Sequence, residues 1–204
     1  MSRELHVYTR HIDLRERTSL SVLAGKIAPG SRVLDLGCGS GALGSFLHQQ
    51  LNCTVDGVTF NSQEAAIAQP HYRDVVVADL EQLNLAQAFA HRQYDYIVCA
   101  DVLEHLKQPE RILADCRSLL AESGQLLISL PNAAYSGLLM ELMQGEFRYR
   151  PEGLLDRTHL RFFTRQSLLR FLTEQQWSLT ALETIKTQGA EGVVQNKWER
   201  TTAF

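Results

Sequence analysis

The stretch VLDLGCGSGALG, residues 33–44, decides the fold of this chain. Its apolar first half is typical of a buried strand, and the glycines at alternate positions are typical of a tight turn. Leu43, Phe46 and Leu47 then recur at helical spacing. Glycines allow a ligand to approach the backbone closely, and the free N–H groups of a helix N-terminus bind polar or anionic groups. The stretch therefore predicts a strand, a ligand-binding turn and a helix.

Strands and helices are predicted to alternate over residues 32–132. The predicted strands are 32–36, 53–58, 75–77, 94–100 and 125–130, and the predicted helices cover about 14–28, 42–50, 62–69 and 109–123. This alternation indicates an α/β fold, a doubly wound, Rossmann-like parallel sheet with helices on both faces. Ligands of such sheets bind at the carboxyl ends of the strands.

The regular alternation of predicted strands and helices ends after residue 132. A helix over 135–144 is closed by Gly145, an irregular stretch rich in arginine and aromatic residues follows, and a helix over 165–175 precedes a strand over 178–184. Residues 193–194, which have weak strand character, and Trp198 are the candidates for the antiparallel last strand. We expect one domain over 1–204, with an N-terminal arm and helix over 1–28 and an insertion over about 133–164 that covers the active site.

Composition excludes several classes of protein. The chain has 204 residues, 45% of them hydrophobic, and a net charge of −3, so it has no broad basic field for nucleic acid. No apolar run approaches the roughly 18 residues of a membrane span, and no signal peptide pattern begins the chain. The four cysteines lack the spacing of a zinc site, so we expect no metal, and buried free thiols in a cytoplasmic protein. The oligomeric state stays open.

The glycine turn fits two cofactors. Residues 39–44 match the GxGxxG pattern of dinucleotide-binding proteins, but the acidic residue expected about 20 positions later is replaced by Thr59. A nicotinamide cofactor is therefore disfavoured. Asp35 stands two residues before Gly37 and gives the pattern Asp-x-Gly-x-Gly-x-Gly.

With that pattern the chain resembles the class I S-adenosylmethionine-dependent methyltransferases. VVADL at 76–80, YDYIVCADVLEHL at 94–106 and GQLLISLPN at 124–132 are similar to the third, fourth and fifth strands of that family and to the turns after them. GLLDRTHLRFFT at 153–164 resembles a segment of the branch that includes MetW-type proteins and methyltransferases of polysaccharide clusters. The resemblance implies a methyltransferase sheet.

The resemblance also implies which residues contact the cofactor. The family places its equivalent of Asp35 near the amino-acid end of the cofactor and its equivalent of Asp79 on the adenine amine. Where Thr59 replaces the usual acid, the resemblance implies that Glu64 or Gln63 holds the ribose. The cofactor would be S-adenosylmethionine, with S-adenosylhomocysteine as product. The predicted cofactor-binding residues are Asp35, Gly37, Cys38, Gly39, Gly41, Thr59, Phe60, Glu64, Asp79, Leu80 and Asp101.

Two histidines are candidates for acceptor chemistry. His159 and His105 each fit a general base for an oxygen nucleophile, with Asp156 as an orienting carboxylate. The alternative is structural: His105 closes the cofactor pocket and His159 ties the insertion to the sheet.

Arginines are concentrated in the insertion. We expect Arg148, Arg150 or Arg161 to clamp an anionic group of the acceptor, because guanidinium matches carboxylate and phosphate in two-point contacts. The alternative for these arginines is a set of local ion pairs on a solvated surface.

These residues together predict an enzyme that methylates a small acceptor, on an oxygen of a sugar or a related anionic metabolite. One alternative is a MetW-like protein of methionine biosynthesis. The other is a module that binds S-adenosylmethionine without turnover.

Overall fold

The computed structural model describes residues 12–187 and 198–203. The strands are β1 (Arg32–Leu36), β2 (Thr54–Thr59), β3 (Asp74–Val77), β4 (Tyr94–Ala100), β5 (Leu120–Pro131), β6 (Leu182–Thr187) and β7 (Trp198–Ala203). The helices are α1 (Ser19–Ala24), α2 (Ala42–Leu51), α3 (Ser62–Ala68), α4 (Leu85–Ala88), α5 (Pro109–Leu119), α6 (Ser136–Met143) and α7 (Arg165–Glu174). Two 3₁₀ helices, Gln69–His71 and Leu103–His105, follow α3 and β4.

All seven strands form one sheet in the order β3-β2-β1-β4-β5-β7-β6. The first five of these are parallel, and β7 is antiparallel to both β5 and β6. This confirms the predicted α/β class and its antiparallel last strand. That strand is Trp198–Ala203, which includes the candidate Trp198. The candidate pair 193–194 lies outside the described residues, as does the N-terminal arm up to residue 11.

Hydrophobic cores lie on both faces of the sheet because neighbouring strand residues point to opposite sides. Val33 packs with α1 and α2 on one face, and Leu34 packs with α5 and α7 on the other. Both faces of the central strands are therefore covered, which explains their continuous apolar runs.

Several predicted boundaries are wrong. Helix α1 spans only Ser19–Ala24, because the Thr18 side chain accepts from the N–H of Ser21 and begins the helix there. Helix α5 ends at Leu119 instead of near Gly124, and β6 begins four residues later than predicted. Gly124 lies inside β5, where a Cβ atom would approach the Tyr94 carbonyl oxygen to 2.8 Å. Its role is close strand packing, not helix termination.

Candidate active site

The glycine turn joins β1 to α2 and contains three left-handed residues, with φ of 74° at Gly37, 52° at Gly39 and 85° at Gly41. A Cβ atom at Gly37 would lie 2.6 Å from the Val102 side chain. At Gly39 the nearest atom would be Glu64 Oε1, at 3.9 Å. Gly37 is therefore required by packing, whereas Gly39 leaves open space above the turn for a ligand.

Beneath the turn, Tyr72 connects the predicted acid to the helix. Its hydroxyl donates to Asp35 Oδ2 (2.7 Å) and accepts from the N–H of Gly44 (3.0 Å). Asp35 is 3% exposed, and burial raises its pKa from 3.8 to about 7. Cys38 is also buried, and burial raises the pKa of its thiol. Nothing in the local sequence pattern singled out Tyr72.

The end of β2 presents the predicted ribose carboxylate. The buried Thr59 hydroxyl donates to Glu64 Oε2 (3.0 Å), and Asn61 caps α3 by accepting from the N–H of Gln63 (2.8 Å). Phe60, next to Thr59, is 62% exposed although it is apolar. A fixed carboxylate and an exposed ring therefore lie at the same sheet edge.

The end of β3 holds its acid by local bonds. Asp79 Oδ1 accepts from the N–H of Glu81 (2.9 Å), and Oδ2 accepts from the side chain of Gln82 (3.3 Å). Leu80 packs against the core, while Val77 is an exposed apolar residue at the strand end. These bonds fix the orientation of the Asp79 carboxylate at the sheet edge.

Asp101, directly after β4, has a left-handed backbone with φ of 57°. Its N–H donates to the Ser129 carbonyl (3.0 Å), and its Oδ1 accepts from the Ser129 hydroxyl (2.9 Å). Left-handed geometry is uncommon outside glycine and is often found at functional sites. Hydrogen bonds to Ser129 of β5 therefore hold Asp101 in place at the carboxyl end of β4.

The backbone of Glu104, in the segment after β4, binds the backbone of the insertion. The carbonyl oxygen of Glu104 accepts from the N–H of Leu160 (2.7 Å) and from the N–H of Arg161 (3.0 Å). The Glu104 side chain is buried, with 1% exposure. Sequence analysis did not select Glu104, because its burial depends on the distant insertion.

These bonds bring the two predicted histidines together, with ring centroids 4.7 Å apart and planes at 77°. The Nδ1 of His159 lies 2.9 Å from the Leu154 carbonyl, and the Nδ1 of His105 lies 3.0 Å from Thr158 Oγ1. Thr158 Oγ1 in turn donates to Asp156 Oδ1 (2.6 Å). Burial, and after it the neighbouring His159, lower the pKa of His105. Asp156 therefore reaches His105 only through Thr158.

Aromatic rings extend outward from the histidines. Centroid distances are 6.5 Å from His159 to Phe162, 6.2 Å from Phe162 to Phe147 and 5.5 Å from Phe147 to Tyr149. Phe162, Phe147 and Tyr149 are exposed. We call these three residues the aromatic wall, and none of them was among the predicted site residues.

The three arginines predicted to clamp the acceptor have partners within the chain. Arg148 pairs with Glu146 (3.3 Å), Arg150 pairs with Glu141, and Arg161 donates to the main-chain carbonyl of Lys107. Arg148 stays the most accessible of them, because its side chain is 73% exposed.

Known proteins to which this chain is similar identify its family. A family model described as "Methyltransferase domain" matches residues 8–182. The chain belongs to this family. It is a class I S-adenosylmethionine-dependent methyltransferase domain, as the sequence predicted, and S-adenosylmethionine is its cofactor.

The methyltransferase domain is similar to ubiquinone biosynthesis O-methyltransferases. It is 30% identical over 151 residues to that of Burkholderia pseudomallei (strain 1710b), covering 72% of this chain and 64% of that protein. It is 28% identical over 171 residues to that of Pasteurella multocida (strain Pm70), covering 76% of this chain and 68% of that protein. The chain spans just under two thirds of the length of the first of these relatives.

A solved structure supports the fold. The magnesium protoporphyrin IX methyltransferase of Synechocystis PCC 6803, solved with bound S-adenosylhomocysteine, matches with a TM-score of 0.61 at 20% identity. The match covers 91% of this chain and 80% of that one. Across the described residues, no helix is long and apolar enough to cross a membrane. The predicted MetW and polysaccharide-cluster branch is not among these findings and stays a prediction.

The described residues fit S-adenosylmethionine. The open space at Gly39 accommodates a group against the backbone, and the Glu64 carboxylate beside it can accept from ribose hydroxyls. The exposed side chains of Phe60 and Val77 offer apolar surface for a flat base at the ends of neighbouring strands. These features match the polar and apolar parts of the cofactor.

Proposed function

We propose that this domain methylates a hydroxyl oxygen of a small acceptor with a flat, unsaturated ring. The observation that carries the proposal is the continuous row of rings from His105 and His159 through Phe162 to Phe147 and Tyr149. A flat ring packs favourably against such a row, in offset or edge-to-face contacts. The names of the relatives, which denote O-methyltransferases, support an oxygen nucleophile.

The residues predicted to bind the cofactor are proposed as its site. When bound, S-adenosylmethionine supplies an electrophilic methyl group. The chain supplies orientation, since alignment of the reacting atoms accounts for much of the rate of an in-line displacement. The proposed cofactor contacts are Asp35, Gly37, Cys38, Gly39, Gly41, Thr59, Phe60, Glu64, Asp79, Leu80 and Asp101.

The histidines are proposed to orient the acceptor. Both Nδ1 atoms face oxygen acceptors, so each neutral ring keeps a lone pair on Nε2. That nitrogen can accept a hydrogen bond from the acceptor hydroxyl. The role of His159 or His105 as general base stays a prediction.

A sugar or an anionic metabolite is the second candidate acceptor. The exposed guanidinium of Arg148 favours it, because it can exchange Glu146 for an acidic group of the acceptor. Glu146 and Glu141 pair with Arg148 and Arg150 and offset the positive charges of these arginines within the insertion. An anionic acceptor is therefore the second candidate, and the acceptor with a flat ring, supported by the aromatic wall, is the first.

An acceptor panel tests both candidates by the formation of S-adenosylhomocysteine with phenols, catechols, neutral sugars and acidic sugars. We expect turnover of phenols or catechols. Phe147→Ala should raise their KM about tenfold and leave the cofactor Kd unchanged, because losing a ring contact and its buried area costs about 1–2 kcal/mol. Met143→Ala is the matched control, since Met143 is 87% exposed and outside the wall.

Other outcomes contradict the first proposal. Preferred turnover of acidic sugars, with loss of that preference in Arg148→Gln, would favour the anionic acceptor. Cofactor binding without turnover over the whole panel would support the binding-module alternative.

A further inference from the structure

We propose that Glu104, His105 and His159 bind a divalent transition-metal ion at the acceptor end of the active site. One ligand atom from each residue lies within 4.8 Å of those of the other two. The prediction of no metal rested on the spacing of the cysteines, and a site built from distant segments leaves no such pattern in the sequence. The fold instead joins two adjacent ligands after β4 to a third from the insertion.

The hydrogen bonds of the two imidazoles are those of metal ligands. A carbonyl oxygen can only accept, so the 2.9 Å contact from His159 Nδ1 to Leu154 means that Nδ1 carries the proton. His105 Nδ1 contacts the oxygen of Thr158, whose own proton goes to Asp156. Metal-bound histidines characteristically donate their second ring nitrogen to a carbonyl or a carboxylate in this way. Each ring is left with Nε2 for a metal.

The third ligand is fixed before any ion binds. The Glu104 carboxylate is buried, and the backbone of the same residue is held by two hydrogen bonds from the insertion. Low exposure strengthens the attraction between a carboxylate and a cation, since the local dielectric is below that of water. Both chain segments therefore hold their ligands toward one point.

The donor set selects the kind of ion. Two imidazoles and one carboxylate suit Zn²⁺, Fe²⁺, Co²⁺ or Mn²⁺, whereas Mg²⁺ prefers an all-oxygen shell. Three protein ligands leave at least one coordination position open, as in catalytic zinc sites. We infer a transition-metal site with an open coordination position.

The use of such an ion depends on the proposed function. An acceptor hydroxyl bound at the open position would lose its proton to solvent more easily. Its oxygen would be fixed for attack on the methyl carbon, whose bond to the sulfonium sulfur breaks and leaves S-adenosylhomocysteine. The ion would then occupy Nε2 of both histidines and hold the acceptor hydroxyl in their place. It would also perform the activation that the base hypothesis gives to His159. Binding of the ion itself does not depend on the identity of the acceptor.

The test measures binding of Zn²⁺ alone to the whole chain after chelator treatment, by competition with a chromophoric chelator. We expect one tight site that loses affinity at least tenfold in Glu104→Gln and in His159→Gln. Thr158→Val should weaken it about tenfold or more, as loss of a partner behind a ligand typically does. His48→Gln is the matched control, because the rings of His48 and His71 form another close imidazole pair, 6.5 Å apart.

Circular dichroism and S-adenosylhomocysteine binding show whether each variant folds, and His105→Gln replaces Glu104→Gln if that variant does not. Absence of one-to-one binding, or binding that survives in the cluster variants and disappears in His48→Gln, overturns the inference. Turnover that persists with excess chelator, in a chain that binds no Zn²⁺, would overturn the metal site and leave the proposed function standing. Zn²⁺ binding without turnover of any acceptor would overturn the proposed function and leave the metal site standing.

Discussion

The glycine turn with its supports and the insertion at 133–164 are built in different ways. At the turn, Asp35, Tyr72 and Gly44 are buried and close-packed, and each polar group has a partner within hydrogen-bond distance. The insertion has only one small hydrophobic cluster, in which Leu138, Leu154 and Leu155 are the buried members. Its remaining apolar side chains are largely exposed.

This difference teaches where each kind of specificity is encoded. The cofactor end is determined by packing, so a change there alters folding and cofactor binding together. The acceptor end is held by a few hydrogen bonds, such as those to Glu104, and its exposed side chains can change with little cost to the fold. Substitutions in the two regions should therefore separate stability from acceptor choice.

Gly44→Ala should have the largest effect on stability. Alanine normally stabilises a helix relative to glycine by about 1 kcal/mol, but a Cβ at this position would lie 2.1 Å from the Tyr72 ring. We expect a net loss of about 1–3 kcal/mol in the free energy of unfolding, measured by urea denaturation. Ser45→Ala in the same helix is the control and should change stability by less than about 0.5 kcal/mol. A stabilised Gly44→Ala would show that the turn is not close-packed.

Asp35 should make stability depend on pH. Burial raises its folded pKa to about 7, whereas the unfolded value is near the ordinary 3.8. The stabilisation that comes from protonated Asp35 is fully present below about pH 4 and is lost as the pH rises toward 7. Over this range the free energy of unfolding falls by at most about 1.4 kcal/mol per pH unit. Tyr72 and Cys38 are the titratable groups that face it, and burial keeps both protonated in this range.

The measurement compares urea denaturation of the parent and of Asp35→Asn between pH 4 and pH 8. The variant should lose the part of the slope that comes from Asp35. Parallel pH curves for the two proteins would mean that the carboxyl is ionised in the folded state throughout.

Glu64→Gln should weaken S-adenosylmethionine binding by about tenfold. A hydrogen bond to the charged Glu64 carboxylate contributes about 1.5 kcal/mol to the free energy of binding, and the neutral amide loses that contribution. Titration calorimetry with S-adenosylhomocysteine measures the change. Glu110→Gln is the control, since Glu110 lies in the first turn of α5, as Glu64 does in α3, but away from the glycine turn. Equal affinities for parent and Glu64→Gln would remove Glu64 from the cofactor site.

Arg150→Gln should have the smallest effect. Its ion pair with Glu141 is partly exposed, so its loss should lower the free energy of unfolding by less than about 1 kcal/mol. The cofactor Kd should not change, because the pair lies wholly within the insertion. A loss as large as that of Gly44→Ala would show that the insertion is packed as tightly as the turn.

Sequence patterns predicted the sheet well where each strand is a short apolar run between turn residues. Strands β1 and β4 begin and end at the predicted residues for that reason. The start of β5 was wrong because Gly124 normally signals the end of a helix, and its close approach to Tyr94 depends on the neighbouring strand. Local pattern carries no information on such a contact.

The candidate site also has a part that local sequence pattern predicts and a part that depends on contacts between distant segments. The glycines, Asp79 and Asp101 follow predicted strands, so their common edge could be inferred from the parallel topology. The partners of the histidines could not, since Glu104 and Thr158 meet them only after the insertion folds back. The exposed ring of Phe147 was equally invisible, because exposure is a property of the folded chain.

The carbonyl oxygen of Glu104 accepts two hydrogen bonds from the insertion, which bears on how acceptor specificity can be exchanged between related methyltransferases. Its bonds to Leu160 and Arg161 join main-chain atoms only, so they do not depend on which side chains occupy those positions. A segment from another methyltransferase that presents two N–H groups at the same place could be grafted onto this scaffold. The cofactor half would then serve as a constant platform, and a library of grafted segments could be screened for new acceptors without rebuilding the sheet.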